Sequence, residues 1–484
     1  MESLALYALD CALKFGASYA DVRAIEQQSE DIATKDETVA RLNLGSSQGL
    51  GIRVLVRGGW GFASTQEQKK EAIEKAARLA VEVARASASC VNPPVTLADE
   101  PTYNAFWVSP HLVDPFTVSI EDKLAVLFEA ARTIRAVKGI TLAQGFMTFI
   151  KERKLFYSSQ GSRIEQRFIR SSCGIEAYAS NDFDRQKRSY PSSFGGQNEL
   201  AGWEMVQRWN LPGHAQKLAE EAVALLSAES CPSTSTDVIL GSSQLALQIH
   251  ESMGHPSELD RALGQELNFA GASFLTPDKL GKLQYGSSIV NLVADATRPG
   301  ALGSFGFDDE GVQAQNVYLV KEGMFTGYLS SRDTAQSIGL TRSGGMMRAE
   351  SWNYAPIIRM TNISLLPGEA GSLEDIVAET SDGILMETNR SWSIDQLRYN
   401  FQFSTEAGWL IKNGKRVKLL KNCSYGGITP KFWNSCVAIG DERDYIDWGV
   451  PNCGKGQPMQ TMWTGHGAAP ARFRNVDVGM AHKA

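Results

Sequence analysis

The sequence predicts an α+β protein. A helix-and-strand N-terminal domain over residues 1–230 precedes a large, mainly antiparallel β C-terminal domain over 231–484 that carries a metal-site helix. Three observations predict this. Stretches rich in helix formers, such as Glu67–Ala88, concentrate before residue 230. A polar break, Cys231-Pro232-Ser233-Thr234-Ser235-Thr236, separates the halves. Beyond residue 285 the chain is Gly-rich, with short β-like runs and few helices. A chain of 484 residues is long for one core, so two or three domains are expected.

Residues 2–15 read as a short helix ending at Gly16. Residues 19–63 read as strands and turns, including Tyr19–Arg23 and Gly51–Val56, with a turn at Gly58-Gly59. Glu67–Ala88 is a long helix and 92–118 a Pro-rich connection. Ser119 is the expected N-cap of a helix over 120–138 that ends at Gly139. Its apolar stripe is Leu124, Leu127, Phe128, Ala131 and Ile134, which spells core packing. Strands resume between 140 and 180, and another helix spans 214–228. Ser-Ser-Gln-Gly occurs at 46–49 and 158–161, each time read as a turn, which hints at an internal duplication.

The second half opens with the strand Val238-Ile239-Leu240 and a turn in which Ser242 or Ser243 caps the site helix. Leu245, Ile249 and Met253 recur at i+4 and face the core, leaving His250 and Glu251 on the flank toward a cleft. Further on, Val317–Val320 runs into Glu322-Gly323, and Gly408–Ile411 into Asn413-Gly414. Such dipeptides between apolar runs are hairpin signals.

Composition excludes several classes. Hydrophobic content is 43% and charged content 21%, normal for a soluble globular chain. No apolar run approaches the ~18–20 residues that span a bilayer. Net charge is −6, which argues against a nucleic-acid footprint. The N-terminus lacks a basic region ahead of an apolar stretch, so no secretory signal is expected. Seven scattered cysteines form neither a disulfide framework nor a C-x-x-C knuckle, and a reduced, cytoplasmic setting is expected.

The chemistry concentrates in His250-Glu251-Ser252-Met253-Gly254-His255, which holds two of only six histidines. Neutral imidazoles are good zinc ligands, and a neighbouring carboxylate can take a proton from water activated by the ion. The spacing is unusual. On an ideal helix, position i+5 lies about 140° from i, too far around for one ion. Either a π-turn brings the two rings together, or the helix ends before His255. Gly254 and Pro256 favour the second option, because Gly closes helices and the residue before Pro avoids the α region.

A catalytic zinc usually takes three protein ligands. Candidates for the third are Cys423, Cys436, Cys453, His466 and Glu258. Cys453 leads, in a Gly-rich loop with Lys455 nearby to favour the thiolate, and His466 follows.

At this point the chain resembles the TldD/PmbA family, on the TldD side. The resemblance covers nearly the whole chain. It rests on Gly16–Arg23, Gly49–Val54 and Trp60–Ala63 in the first half. In the second half it rests on the hexapeptide, Phe307–Gly311, Arg359–Asn362 and the Cys453-Gly454-Lys455 segment. It implies an α+β zinc metallopeptidase with His250, His255 and Cys453 as ligands to Zn2+ and Glu251 as general base. Two features depart from the family pattern. The stretch Cys453–Gln457 is one residue shorter than C-G-K-x-G-Q, and Pro256 follows the second histidine directly. Both mark a divergent branch.

The expected activity is hydrolysis of unstructured peptides or small proteins. His466 is expected to contact substrate or oxyanion, or to be structural. Asp309 and Glu310 are candidates to support the site or meet a substrate terminus, with a turn or salt bridge as the favoured reading. The alternatives are a non-catalytic PmbA-like partner subunit and a zinc amidohydrolase acting on a non-peptide amide. The intact His-Glu-His set counts against the first. The resemblance also implies a homodimer, or a heteromer with a PmbA-like subunit. Family members are linked to DNA gyrase modulation, but the acidic charge makes direct nucleic-acid binding unexpected, and no membrane association is expected.

Overall fold

Residues 2–227 build one mixed sheet with its helices on a single face. The computed structural model describes residues 1–268 and 271–479. The order is α1 (Glu2–Lys14), β1 (Tyr19–Lys35), β2 (Thr38–Val56), β3 (Gly59–Thr65), α2 (Lys70–Ala88), β4 (Asn104–Val108), α3 (Ile120–Ala136), β5 (Ile140–Ser158), β6 (Arg163–Ser180), β7 (Arg185–Tyr190), β8 (Gln197–Glu199), α4 (Glu204–Trp209) and α5 (Leu211–Ser227). The strands lie in the order β3-β2-β1-β5-β6-β4, with β7 and β8 also on β6. Ser119 caps α3 as expected, its side chain accepting from the Asp122 N–H.

Strand alternation sorts this sheet into two faces. Val22 and Ile32 of β1, opposite Tyr157 and Met147 of β5, turn toward the helices. α1 and α2 cover one half of that face, and α3 and α5 the other. The order α1-β1-β2-β3-α2 is thus echoed by α3-β5-β6-β7-α5, with β8 and α4 inserted before α5, and the two units meet at the β1/β5 pair. The Ser-Ser-Gln-Gly copies do not mark this repeat. Ser46–Gly49 lies inside β2, not in the expected turn, because it is laddered to β1 from Ile25 to Gln28. Only Ser158–Gly161 forms a turn, between β5 and β6.

Part of the other face, around Asp21, Arg53 and Lys154, is charged and buried against the second half. Arg53 bonds Asp21 at 2.6 Å and reaches Glu310 at 3.0 Å. Lys154 meets Asp309 at 2.8 Å, and the Gln166 amide donates to the Phe307 carbonyl at 2.8 Å. Buried charges persist only when paired like this.

The second half is built on another sheet. β9 (Glu229–Ser230) sits at its edge and β10 (Thr234–Leu240) inside it. Strands 382–394, β10, 471–478, 424–428 and 400–412 follow in order, and 400–412 pairs back onto 382–394. These strands therefore close into a ring around Phe401, Phe403, Tyr425 and Phe473. The predicted hairpins form. Glu322 and Gly323 have φ 49° and 77°, and Asn413 and Gly414 have φ 48° and 73°. Two successive left-handed residues match the twist of the flanking strands.

Candidate metal centre

α6 (Ser242–Ile249) leaves the end of β10 and carries the hexapeptide. Neither Ser242 nor Ser243 caps it; Gly241 holds that position without a side-chain bond. The Ser242 hydroxyl instead accepts from the Trp448 indole at 3.1 Å. After Ile249 the helix widens into a π-turn over His250–Gly254. The His255 N–H donates to the His250 carbonyl at 3.1 Å, the i→i+5 bond. His255 keeps helical angles, φ −62° and ψ −45°, despite the following Pro256. The π-turn, not an early helix end, therefore brings the two rings to one side. Leu245, Ile249 and Met253 anchor the opposite side in the core. Gly254 is required by contact: a Cβ there would lie 2.2 Å from Met360 Sδ.

The nitrogen and sulfur donors of His250, His255 and Cys453 lie within 4.8 Å of one another. Cys453 Sγ is 3.7 Å from His255 Nε2. Cys453 is not in a loop but in strand Ile446–Lys455, paired with Gln460–Ala468. A register shift between Val450 and Cys453 re-aims the strand at the cluster. Burial pushes both imidazoles below their ordinary pKa, keeping them neutral. Burial alone would raise the Cys453 thiol, but the Arg359 charge and His255 outweigh it and hold the thiol low. Lys455 does not supply that charge. Its ammonium is bound to Asp260 at 2.7 and 2.8 Å and to the Ile358 carbonyl at 2.7 Å. Two neutral imidazoles and a thiolate-prone sulfur fit a borderline-soft ion such as zinc.

Each imidazole is held from behind. His255 Nδ1 lies 3.1 Å from Glu258 Oε2. Burial would raise the Glu258 carboxyl, but Lys455, His255 and Arg261 hold it far below the usual range. His250 Nδ1 lies 2.7 Å from His466 Nε2. His466 is fully buried and lies behind His250, outside the residues that line the cavity.

Glu251 lines the same cavity and accepts from Arg398 Nη1 at 2.6 Å. Sequence reasoning missed Arg398, which lies 147 positions away on the turn between strands 382–394 and 400–412. The turn is fixed: Arg398 N–H donates to Asp395 at 3.0 Å, and Thr429 Oγ1 donates to the Arg398 carbonyl at 2.9 Å. No motif in the chain marks it.

The cavity encloses about 330 Å³, with Phe194, Leu247, Trp392, Trp448 and Val450 in its walls. Phe194 comes from the N-terminal half and meets Trp392 edge-on at 5.3 Å. Gln197 ties that segment to the Cys453 strand, donating to the Asp447 carbonyl at 2.8 Å and accepting from the Gly449 N–H at 3.0 Å. A larger cavity of about 1100 Å³ opens on the N-terminal sheet among Gln27, Ser47, Phe106 and Arg153. It has one histidine, His111, and no cysteine, so the candidate site is the smaller cavity, where the donors converge.

The remaining expected residues lie elsewhere. Asp309 and Glu310 belong to the charged seam between the halves and do not line the cavity. Burial would raise Asp309, but Lys154 and Arg23 outweigh it and hold it below the usual carboxylate range. Both residues sit in a turn held by ion pairs. Gly311, at φ 77°, closes that turn, and Asp308 caps the Glu310 and Val312 N–H groups at 2.9 Å. Cys423 and Cys436 are buried elsewhere, Cys423 against Cys231.

Comparison with known proteins bears on this arrangement. Family models described as PmbA/TldA metallopeptidase domain 1, central domain and C-terminal domain match residues 20–84, 113–226 and 233–479. The first two matched segments share one sheet here, through the β1/β5 pair. A metalloprotease of Methanocaldococcus jannaschii is 30% identical over 410 residues, covering 84% of this chain and 86% of the relative. A zinc metalloprotease TldD homolog of Saccharolobus solfataricus is 22% identical, covering 97% of this chain and 98% of the relative. The crystal structure of TldE from Thermococcus kodakarensis has the same fold, with TM-score 0.75 at 15% identity over 98% of this chain and 99% of that one. With three family domains matched in tandem and a relative this similar over most of its length, the chain belongs to the PmbA/TldD family of metallopeptidases.

Proposed function

We propose that this protein is a zinc-dependent metallopeptidase that hydrolyses unstructured peptides, with His250, His255 and Cys453 as metal ligands and Glu251 as general base. One observation carries the reading: two neutral imidazoles, a low-pKa thiol and a carboxylate converge on one aromatic-walled cavity. Zinc, when bound, supplies Lewis acidity that makes water nucleophilic near neutral pH and polarises a carbonyl.

The chain's own residues do the rest. Glu251 adjoins His250 in sequence and lines the cavity, so its carboxylate accepts the proton of the attacking water. It then returns that proton to the departing amine. Arg398 pins one Glu251 oxygen, which orients the carboxylate. Phe194, Trp392 and Trp448 offer apolar contact to substrate side chains. A cavity of about 330 Å³ between the two halves admits a segment of extended chain, not a folded domain.

We further infer that the chain works as an oligomer, as a homodimer or with a PmbA-like subunit. Its likeness in fold to TldE supports such pairing. The test is metal content together with cleavage of an unstructured peptide library. About one zinc per chain and chelator-sensitive cleavage are expected. Metal-free protein that takes up no zinc on titration contradicts the reading.

A further inference from the structure

The proposed chemistry gives His466 no part as ligand or base, yet its ring is pinned at three points. Nδ1 lies 3.1 Å from the Ile363 carbonyl oxygen. Nε2 lies 2.7 Å from His250 Nδ1 and 3.3 Å from Thr464 Oγ1. Its partners among the described residues are thus an imidazole, a hydroxyl and a carbonyl, none of them anionic. A carbonyl oxygen can only accept. The His466 Nδ1 facing it therefore carries a hydrogen, and in a neutral ring Nε2 is then a bare acceptor. His250 Nδ1 must supply the hydrogen between the two rings. That leaves the lone pair of His250 on Nε2.

We propose that His466 is a positioning residue that fixes His250 in the Nδ1–H tautomer and so presents His250 Nε2 to the metal. The inference rests on the metal reading above. The relay runs from His250 Nδ1–H to His466 Nε2, and from His466 Nδ1–H to the Ile363 carbonyl. His255 receives the same support from the Glu258 carboxylate at 3.1 Å. The two ligands thus have unlike supports, an anion behind one and a neutral ring behind the other. The neutral ring orients its ligand without adding charge.

The local sequence is built for this. His466 lies on the strand that pairs with the Cys453 strand, Trp448 opposite His466 and Cys453 opposite Met462. One hairpin therefore supplies a ligand and the support of another ligand. Glycines flank His466 because the strand is pressed against its neighbours. A Cβ at Gly465 would lie 2.0 Å from Asn362 Oδ1, and one at Gly467 1.8 Å from the Tyr445 hydroxyl. The Gly467 N–H donates to Ser364 Oγ at 2.9 Å, which holds the register.

The test is zinc affinity of the full chain, measured by competition with a chromogenic chelator. The samples are wild type, His466→Phe, His466→Gln and, as a ligand-loss control, Cys453→Ser. Support residues of metal-bound histidines typically contribute about 10–100-fold in affinity. His466→Phe is expected to lose that much. His466→Gln, whose amide can accept from one side and donate on the other, is expected to recover most of it. Wild-type protein labelled with 15N-histidine gives a second readout that needs no variant to fold, and only six histidines contribute. It is expected to show His250 protonated at Nδ1, with zinc shifting Nε2. A His250 Nε2–H tautomer, or wild-type affinity in His466→Phe while Cys453→Ser loses zinc, overturns the proposal alone. Failure of wild type to take up zinc overturns the metal reading and this proposal with it.

Discussion

Arg398 donates to Glu251 at 2.6 Å, joining a turn of the C-terminal ring to the residue beside the first histidine. The pair sits in the cavity wall, with the Glu251 side chain 6% and the Arg398 side chain 17% exposed. Hydrogen bonds to charged groups contribute roughly 1.5–3 kcal/mol. Arg398→Ala should therefore lower peptide turnover by about 10–100-fold, with bound zinc unchanged. Arg398→Lys should fall between, because an ammonium lacks the planar fork. Steady-state kinetics beside metal analysis checks this, and unchanged kcat in Arg398→Ala would remove Arg398 from the mechanism.

Cys453→Ser should strongly weaken zinc retention, whereas Cys423→Ser and Cys436→Ser should not. Only Cys453 shares the cluster with the two histidines. Burial raises the Cys436 thiol to about 12, which leaves it inert. Equal zinc content in all three variants after dialysis would mean that the third ligand has been misassigned.

Asp309 gives a pH-dependent prediction. Its folded pKa lies below the ordinary 3.8, because Lys154 and Arg23 outweigh its burial. A depressed carboxyl contributes stability above its unfolded pKa and loses it as pH falls through the folded value. Wild-type stability should therefore drop in acid below the ordinary 3.8. Asp309→Asn should lack that component and cost about 3–5 kcal/mol at neutral pH, since Lys154 stays buried without its partner. Urea unfolding at neutral and acid pH reads both effects. A variant as stable as wild type at neutral pH would show that the seam does not hold the halves together.

Much of this was legible in the sequence, for identifiable reasons. The Asn413-Gly414 turn and the α2 and α3 helices rest on local backbone preferences, which survive in the fold. The hexapeptide was visible because histidine is scarce. Its π-turn was one of two readings, since an early helix end satisfied the same residues. Ser46–Gly49 misled because pairing with β1 overrode the turn preference of Gly and Ser. The roles of His466 and Arg398 were illegible because their partners lie 216 and 147 positions away. Asp309 and Glu310 stood out as a motif, but the cations that explain them, Lys154 and Arg53, lie in the other half.

The oligomer prediction is simple to check. Light scattering at micromolar concentration should report a species larger than the 52.8 kDa chain, alone or after mixing with a PmbA-like subunit. A fully active monomer of 52.8 kDa would contradict the assembly.

The most direct test of the central claim is Glu251→Gln, with bound zinc and peptide turnover measured on the same preparation. The substitution keeps shape and removes the base without touching a ligand. Zinc should stay near one per chain while turnover falls by about 10²–10⁴, with little change in substrate affinity. Retained zinc with near wild-type turnover would contradict the assignment of Glu251 as the base. Lost zinc would make Glu251 a ligand and redraw the site around His250, Glu251 and His255.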